Sequence, residues 1–597
     1  MSGGTSEKNF GSSKSNGDAS LRDVEKGGGV IVEDYPQPQE SRGFWGNLVD
    51  GFKRAKVEDF GLNPNEMTEE QRAAVLSANA PLQRSLKNRH MQMIAIGGSI
   101  GTGLFVGTGL ILRQGGPASV VLAYGIIGIM MYCTCQALGE LAVTFPVSGS
   151  FVVYNTRFID PSWGFAMAWN YCMQWMATFP TELVAASMTV QYWTEKNHQN
   201  ISPAAWVAIF YSLIAIINLF GVKGYGEAEF IFSIIKVAGI IGFVIFGIVM
   251  TAGGNPKHEY IGAKYWLDPG AFHHGFKGLC SVFVTGAFSF AGTELVGLAG
   301  AESSDPGRYL PKATKQVFWR IVLFYLVSTT IIGFLLPYNS KSLLGGGSLS
   351  ETATSPFVLG ITRHGITALP SIMNVVILVA ILSVANASVF GASRAICSLA
   401  TAGQAPKIFT YIDRQGRPLF GILMQLTIGL LCFLAASDKE EEVFNWLMAL
   451  SGLSLIFTWG SINLAHLRFR RALRVQGRDT SELTFCSQVG IYGSMLGLTL
   501  NILVLIAQFW IALFPLGESP DPKTFFQNYL SFPIVLVFYL GHKVIRKNLR
   551  VYIRAKNIDI DTGRREADLD LVRQEVQERK EYIRSRPFWY RIWDFWC

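Results

Sequence analysis

The chain has 597 residues, of which 50% are hydrophobic and only 16% charged, and its mean hydropathy is +0.29. Soluble domains carry about 25% charged residues, so this composition excludes an ordinary soluble protein and predicts one that crosses a membrane several times. The net charge of +8 comes from basic residues in short loops and at the flanks of apolar segments. That pattern reports membrane topology and argues against a nucleic-acid partner.

Residues 1–80 are rich in Gly, Ser and charged residues and cannot bury enough apolar surface to fold alone. We therefore predict a mostly disordered cytoplasmic tail. Within it, the capping-box pattern Thr68-Glu69-Glu70-Gln71 predicts a short helix over Arg72–Leu76.

Twelve apolar segments follow, each long enough for the roughly 20 residues that cross the hydrocarbon core. They lie near 92–113, 117–143, 163–192, 203–222, 229–252, 277–301, 316–336, 367–398, 418–437, 444–465, 488–515 and 528–545. The sequence thus predicts an all-α polytopic membrane domain over 81–545 and a second cytoplasmic tail over 546–597. Basic clusters before the first span and after the sixth, tenth and twelfth place both termini in the cytoplasm.

The first span contains four glycines in Ile94–Phe105 (IAIGGSIGTGLF), and the sixth contains a similar interruption in Phe288–Leu295 (FSFAGTEL). An unwound helix is tolerated in hydrocarbon only where its freed backbone groups face a cavity or a ligand. Interruptions at matching places in two five-helix repeats indicate a binding site near the membrane midplane. The alternative for the first break is a glycine motif for close helix packing.

The two breaks offer opposite chemistry. Backbone N–H groups freed at Ser99–Gly103 lie at the positive end of a half-helix and suit a carboxylate, whereas carbonyl groups near Ser99, Phe288 and Ala291 suit an ammonium group. The predicted ligand is an α-amino acid.

Ionisable residues inside apolar spans are functional candidates because their insertion costs about 2.5–3.5 kcal/mol each. Glu294 follows the second break and can serve proton coupling, contact substrate, or cap the unwound backbone. Glu182 can attract an ammonium group or take a proton, or form a buried pair. Lys236 can load and unload a proton, or be held by exposed carbonyl groups. Glu140 is predicted to be structural.

No HExxH, P-loop or GxSxG motif occurs, so an enzyme is not supported. The eight cysteines form no metal-type pair and are interpreted as free thiols. We predict no metal and no cofactor.

Three segments, Leu82–Phe105, Phe288–Glu302 and Ser393–Phe409, resemble the signature segments of the fungal amino acid permeases in the amino acid–polyamine–organocation superfamily. Within that family, Gln316–Arg320 and Ser451–Arg471 are most similar to the general amino acid permease branch. The resemblance implies a LeuT-type fold with a 5+5 inverted repeat and proton-coupled import of a broad range of L-amino acids across the plasma membrane. The alternatives are a cationic amino acid permease and a nutrient receptor on the same fold.

The resemblance also implies roles for individual residues. Thr102 and Gly103 would hold the substrate carboxylate, the carbonyl groups of Ser99 and Ala291 its amine, and Phe288 would gate the site. Lys236 resembles a lysine that replaces a bound sodium ion in some proton-coupled relatives. The full implied substrate site is Ser99, Ile100, Gly101, Thr102, Gly103, Phe288, Ser289, Ala291 and Gly292, with Glu294, Glu182 and Lys236 as coupling residues.

The tails carry candidate modification sites. The aromatic C-terminal end suits contact with membrane lipid and makes Cys597 a candidate for palmitoylation. Lys8, Lys14 and Lys26 are accessible acceptors for the ubiquitin machinery, as the family's regulated endocytosis implies.

Overall fold

A computed structural model describes residues 52–54 and 86–564, with gaps at 87, 197–200, 257, 304, 341–342, 344–354, 367, 437–439, 518 and 549, and also 578, 581 and 585–587. These described residues are nearly all helical and contain no strand, only two isolated bridges. The predicted helix over 72–76, the candidate lysines of the N-terminal tail and Cys597 lie outside the described residues.

Each of the twelve predicted spans contains one helix or several helical pieces. Spans 1 to 6 run over Asn88–Gly97 with Gly103–Gly107 and Thr108–Gly115, Pro117–Thr144, Pro161–Lys196, Pro203–Leu219, Gly221–Thr251, and Gly275–Ser281 with Phe283–Phe288 and Leu295–Gly300. Spans 7 to 12 run over Pro306–Arg320 with Ile321–Val327 and Ser328–Leu335, Leu369–Thr401, Leu419–Gly429 with Leu430–Ala436, Glu440–Val475, Gly490–Leu513, and Pro522–Tyr529 with Ser531–Arg546. Shorter helices occupy Phe151–Phe158 and Pro356–Arg363, and shorter turns occupy Trp266–Gly270, Lys407–Thr410, Thr480–Glu482 and Ala555–Asn557.

Among the described residues, six helices are by themselves long and apolar enough to cross a membrane, and the number is seven if the two pieces of span 12, bent by 66°, count as one span. Spans 4 and 9 are shorter, and spans 1 and 6 are interrupted. Span 3 is 36 residues long but carries buried polar side chains such as Gln174 and Glu182. The predicted all-α polytopic fold with a broken first and sixth helix is confirmed.

Three helices extend beyond the predicted spans. Span 5 begins at Gly221, which has a φ of 72°, so Glu229 lies two turns inside the helix instead of at its edge. Span 7 begins at Pro306, a residue type suited to the first helical position, ahead of the predicted start at 316. Span 10 continues to Val475 because its arginines favour helix beyond the hydrocarbon core.

The spans differ in how much of their surface the protein itself covers. Span 8 is the most enclosed, with 83% of its apolar window buried, whereas the windows of spans 5 and 11 are 28% and 33% buried. Large apolar side chains on those two outer helices, such as Ile245 and Ile506, are exposed and suit contact with lipid. The most extensive helix packing joins spans 3 and 8. The first helical piece of span 1 packs mainly against spans 5 and 7, and the piece Phe283–Phe288 of span 6 packs against span 10.

Parts of both predicted tails contact the membrane domain. The carbonyl of Phe52 accepts a hydrogen bond from the Tyr411 hydroxyl at 2.5 Å, in the loop between spans 8 and 9. Residues 550–564 pack near the end of span 10, where Gln476 donates to the carbonyl of Ile558 at 2.8 Å. Arg157, in the helix Phe151–Phe158, donates to the carbonyl of Asp559 at 2.6 Å. These hydrogen bonds therefore attach the described part of the C-terminal tail to the membrane domain.

Candidate functional site

The two helix breaks lie directly against each other. Span 1 leaves the helical conformation over 98–101, and span 6 leaves it over 289–294. A methyl group added at Gly103 would lie 2.4 Å from the Cα of Ser289, and one added at Gly292 would lie 2.8 Å from the carbonyl oxygen of Gly98. Gly292 also has a φ of 92°, a conformation that side chains other than hydrogen rarely adopt. Glycine at these two positions allows the unwound backbones to touch.

One tyrosine hydroxyl joins the two breaks. The Tyr325 hydroxyl in span 7 lies 3.1 Å from the carbonyl oxygen of Ser99 and 2.8 Å from that of Ser289. It also lies 3.1 Å from the Ser99 hydroxyl. Since a tyrosine has one proton to donate, it bonds one carbonyl at a time and can accept from the Ser99 hydroxyl. The Tyr124 hydroxyl of span 2 adds a contact of 3.0 Å to the Ser289 hydroxyl.

A buried carboxylate faces the first break. Glu182 projects from the middle of span 3, and its Oε2 accepts a hydrogen bond from the Thr102 hydroxyl at 2.5 Å. The same oxygen lies 3.7 Å from the position of a methyl group added at Gly101. Both side chains are almost completely buried. A carboxylate in this position can hold a substrate ammonium group or a proton next to the freed backbone.

Glu294 caps the second break. Its Oε1 accepts from the amide of Gly292 at 3.3 Å, and its Oε2 accepts from the indole N–H of Trp459 in span 10 at 3.3 Å. The neighbouring Thr293 hydroxyl accepts from the guanidinium of Arg320 at 2.6 Å. The capping role predicted as one alternative is therefore present in the structure. A role of Glu294 in coupling stays a prediction.

Lys236 belongs to a buried polar cluster that joins spans 5 and 8. Its Nζ lies 3.3 Å from Oε1 of Glu229 and 2.6 Å from the hydroxyl of Ser383. The Ser383 hydroxyl in turn donates to Oε2 of Glu229 at 2.5 Å. Lys236 and Glu229 are both fully buried. The polar partners of this lysine thus include a carboxylate and a hydroxyl. The predicted alternative in which carbonyl groups hold the lysine named neither of them.

The remaining predicted site residues line the same region. Ile100, Phe288 and Ala291 are buried beside the breaks, as are Ser99 and Ser289. Solvent reaches almost none of these side chains. The Arg394 side chain, in the third signature segment, forms an ion pair with Glu302. Glu140 likewise pairs with His466 at 2.9 Å and Arg470 at 2.6 Å.

Sequence reasoning missed several polar residues that contact the breaks or the lysine: Tyr124, Glu229, Arg320, Tyr325 and Trp459. The signal for Glu229 is its distance from Lys236, because seven residues make two helical turns and place both side chains on one face. The two tyrosines carried a weaker signal, since a hydroxyl in an apolar span needs a partner. Nothing in the local sequence indicates that either tyrosine meets a break in another helix.

Comparisons with known proteins give the family of this chain. Residues 90–554 match the family described as Amino acid permease. The general amino-acid permease GAP2 of Candida albicans is 60% identical over 578 residues, which cover 96% of this chain and 97% of that permease. The general amino-acid permease GAP1 of Saccharomyces cerevisiae is 54% identical over 559 residues, covering 93% of this chain and 92% of that permease.

Among solved structures, the nucleobase-cation symporter Mhp1 aligns over 80% of this chain and 97% of its own with a TM-score of 0.43 and 15% sequence identity, a similarity too low to add to the assignment. The match to the family and the two permeases are sufficient without it. They confirm the resemblance seen in the three signature segments. This chain belongs to the amino acid permease family.

Proposed function

We propose that this chain imports L-amino acids of broad range across the plasma membrane together with protons, by alternating access around the two helix breaks. The observation that carries the proposal is the contact between the breaks at Gly103 and Gly292, with the Glu182 carboxylate beside them. Backbone N–H groups, backbone carbonyl groups and one carboxylate thus converge on one buried point. Such a site recognises the part of the molecule that all α-amino acids share.

Substrate recognition follows from the charges at the two ends of the ligand. The freed N–H groups of Ser99–Gly103 bind the carboxylate end. The Glu182 carboxylate and the Ser99 carbonyl bind the ammonium end. Because the site excludes water, each of these charge-assisted hydrogen bonds is stronger than it would be at a surface. Phe288 closes the site over the bound amino acid.

Proton coupling follows from the cost of moving unpaired charge through a closed, dry site. Glu182, Lys236 and Glu294 are all buried within spans. An uncompensated charge on any of these side chains costs free energy. Binding or release of the substrate therefore favours the uptake or release of a proton by them. Coupling through these groups lets the proton gradient drive accumulation without another cofactor.

A broad substrate range fits both the chemistry and the relatives. Backbone groups read the carboxylate and the ammonium group, which do not vary among amino acids. The two most similar relatives cited above are named general amino-acid permeases. Two Saccharomyces cerevisiae relatives with narrower printed names, the histidine permease and the tryptophan permease, are less similar, at 49% identity.

We further propose that both termini face the cytoplasm, from the basic clusters that flank the spans. Palmitoylation of Cys597, contact of the aromatic C-terminal end with membrane lipid, and ubiquitination at Lys8, Lys14 or Lys26 belong to the same proposal. Replacing each lysine singly and following the amount of protein at the cell surface tests the last of these.

The test of function is uptake of a labelled amino acid by cells that lack their own amino acid permeases. We expect accumulation against a gradient, faster at acidic than at neutral external pH and abolished by a protonophore. A competition panel of the common amino acids should show inhibition by neutral, acidic and basic members. Inhibition by basic members alone would favour a cationic permease, and binding without accumulation would favour a receptor. Uptake that ignores the protonophore would contradict proton coupling.

A further inference from the structure

The end of span 12 and the chain that follows it form a loop that is fastened at both ends to one turn of the protein. At its start, the Lys543 ammonium group lies 3.1 Å from Oδ2 of Asp160. At its end, the amide of Ile553 donates to the carbonyl of Ile159 at 2.9 Å. Both partners directly precede span 3. The juxtamembrane loop, residues 544–552, therefore lies where two spans reach the same surface of the membrane.

Hydrogen bonds within the juxtamembrane loop hold its shape. The helix of span 12 ends at Arg546, and Lys547 adopts a left-handed conformation with a φ of 50°. The Lys543 ammonium group also donates to the carbonyl of Arg550, whose amide donates to the Asn548 side chain at 3.0 Å. The described residues of the loop therefore form an ordered surface.

The surface of the loop combines cations with apolar side chains. From 544 to 556 the chain contains five basic residues and no acidic one. Lys547 and Arg550 are exposed. Val551 and Tyr552 lie beyond the end of the span, yet 68% and 59% of their surfaces are exposed. A partner that is anionic at one end and apolar at the other fits such a surface.

We propose that the juxtamembrane loop binds the anionic headgroups of glycerophospholipids in the cytoplasmic leaflet. Lys547 and Arg550 contact the headgroup, and Val551 and Tyr552 lie at the boundary between headgroups and acyl chains. Basic clusters directly beside a span are attracted to the negative surface of this leaflet. The inference goes beyond the proposed transport and rests only on the proposed orientation of the termini.

Membrane topology alone does not account for this arrangement. Basic residues after a last span are expected wherever the terminus is cytoplasmic, but topology does not require them to be held in place. Here the contacts with Ile159 and Asp160 keep the loop at the membrane surface. His542 adds a third contact, since its Nδ1 lies 3.1 Å from the hydroxyl of Ser162. A loop that is already held in place loses less conformational freedom on binding, which favours affinity.

The experiment measures the Kd of a fluorescent phosphatidylserine for the purified full-length protein in a neutral detergent at low salt. The test variant carries Lys547→Gln and Arg550→Gln, which remove two charges but leave polar side chains. The matched control carries Arg308→Gln and Lys312→Gln, which remove two exposed cations in the basic cluster after the sixth span. Fluorescent phosphatidylcholine, which has no net charge, reports the binding that does not depend on headgroup charge.

We expect selective binding of phosphatidylserine by the original chain and its loss in the test variant. Each cation near an anionic lipid surface contributes about fivefold in affinity, so the Kd of the test variant should rise roughly twenty-five-fold. The control should bind phosphatidylserine like the original chain. Phosphatidylcholine should bind all three proteins equally weakly, and added salt should weaken the binding of phosphatidylserine.

An unchanged Kd for phosphatidylserine in the test variant would overturn the inference, and so would equal binding of the two lipids by the original chain. Binding of the soluble headgroup glycerophosphoserine as tightly as the lipid would indicate an anion site without a lipid role and would also overturn it. Should the test variant not be recovered as folded protein, Lys547→Gln alone decides, with an expected rise in Kd of about fivefold. Absence of amino acid uptake by the original chain would contradict the proposed function and leave this result unaffected.

Discussion

Replacing Gly103 with alanine tests whether transport needs the close contact between the two helix breaks. The added methyl carbon would lie 2.4 Å from the Cα of Ser289 and 2.6 Å from its amide nitrogen. Non-bonded carbon atoms prefer a separation of about 3.5–4.0 Å, so the breaks must move apart by about 1 Å. Because both close atoms belong to the backbone, no change of side-chain rotamer relieves the overlap.

The size of the effect follows from that displacement. Misplacing oriented groups by about 1 Å can lower a rate about a hundredfold. We expect the uptake efficiency of Gly103→Ala to fall by that order, because the hydroxyl of Tyr325 can no longer lie within reach of the carbonyl groups of both breaks. Lost uptake with normal folding is the expected result.

The assay is the initial rate of labelled amino acid uptake, divided by the amount of tagged protein at the cell surface. The matched control is Gly286→Ala, one turn before the second break, where the nearest atom to the added methyl group is a side-chain carbon of Ile127 at 3.8 Å. This ordinary contact leaves the breaks in place, so the control should transport normally. Wild-type uptake by Gly103→Ala would refute the reasoning.

Three further predictions follow from other contacts. Thr102→Val removes the hydroxyl that donates to the buried carboxylate at 2.5 Å, and we expect the Kd for substrate to rise about tenfold; binding like the original chain would contradict its role. Glu294→Gln removes an ionisable group, and we expect weaker proton-driven accumulation; full accumulation would exclude Glu294 from coupling. Burial raises the pKa of Asp559, but the Arg157 guanidinium and backbone amides outweigh it and hold this pKa below its ordinary value of 3.8. A lowered pKa stabilises the folded contact above the ordinary value and loses that stabilisation as the pH falls through the lowered one. Amide protection over 553–560, measured relative to the intrinsic exchange rate at each pH, should therefore stay high at neutral pH and fall only in strong acid. Asp559→Asn should lower this protection at neutral pH. Identical protection in both proteins would contradict the contact.

The helical layout and both breaks could be predicted from local sequence. Apolar length predicts a span, and a run such as Gly97-Gly98-Ser99-Ile100-Gly101 disfavours continuous helix wherever it occurs. The breaks are therefore properties of their own segments. Their identity as a paired site followed from their matching positions in the chain.

The partners of the site residues could not be predicted in the same way. Tyr325 and Ser99 are separated by 226 residues, and nothing near either residue indicates that their hydroxyl groups meet at 3.1 Å. Glu229 could not be recognised as a buried partner either, because the predicted span 5 began at residue 229, whereas the helix begins at Gly221. Contacts between helices depend on tertiary packing, which a single sequence does not specify at the level of individual atoms.

The most direct test is an experimental structure of the full-length protein in lipid nanodiscs with a bound amino acid. We expect ligand density between 99–103 and 289–292, with the ligand carboxylate at the amide groups of the first break and its ammonium group within hydrogen-bond distance of Glu182. Density elsewhere in the membrane domain, or a continuous helix at either break, would contradict this site.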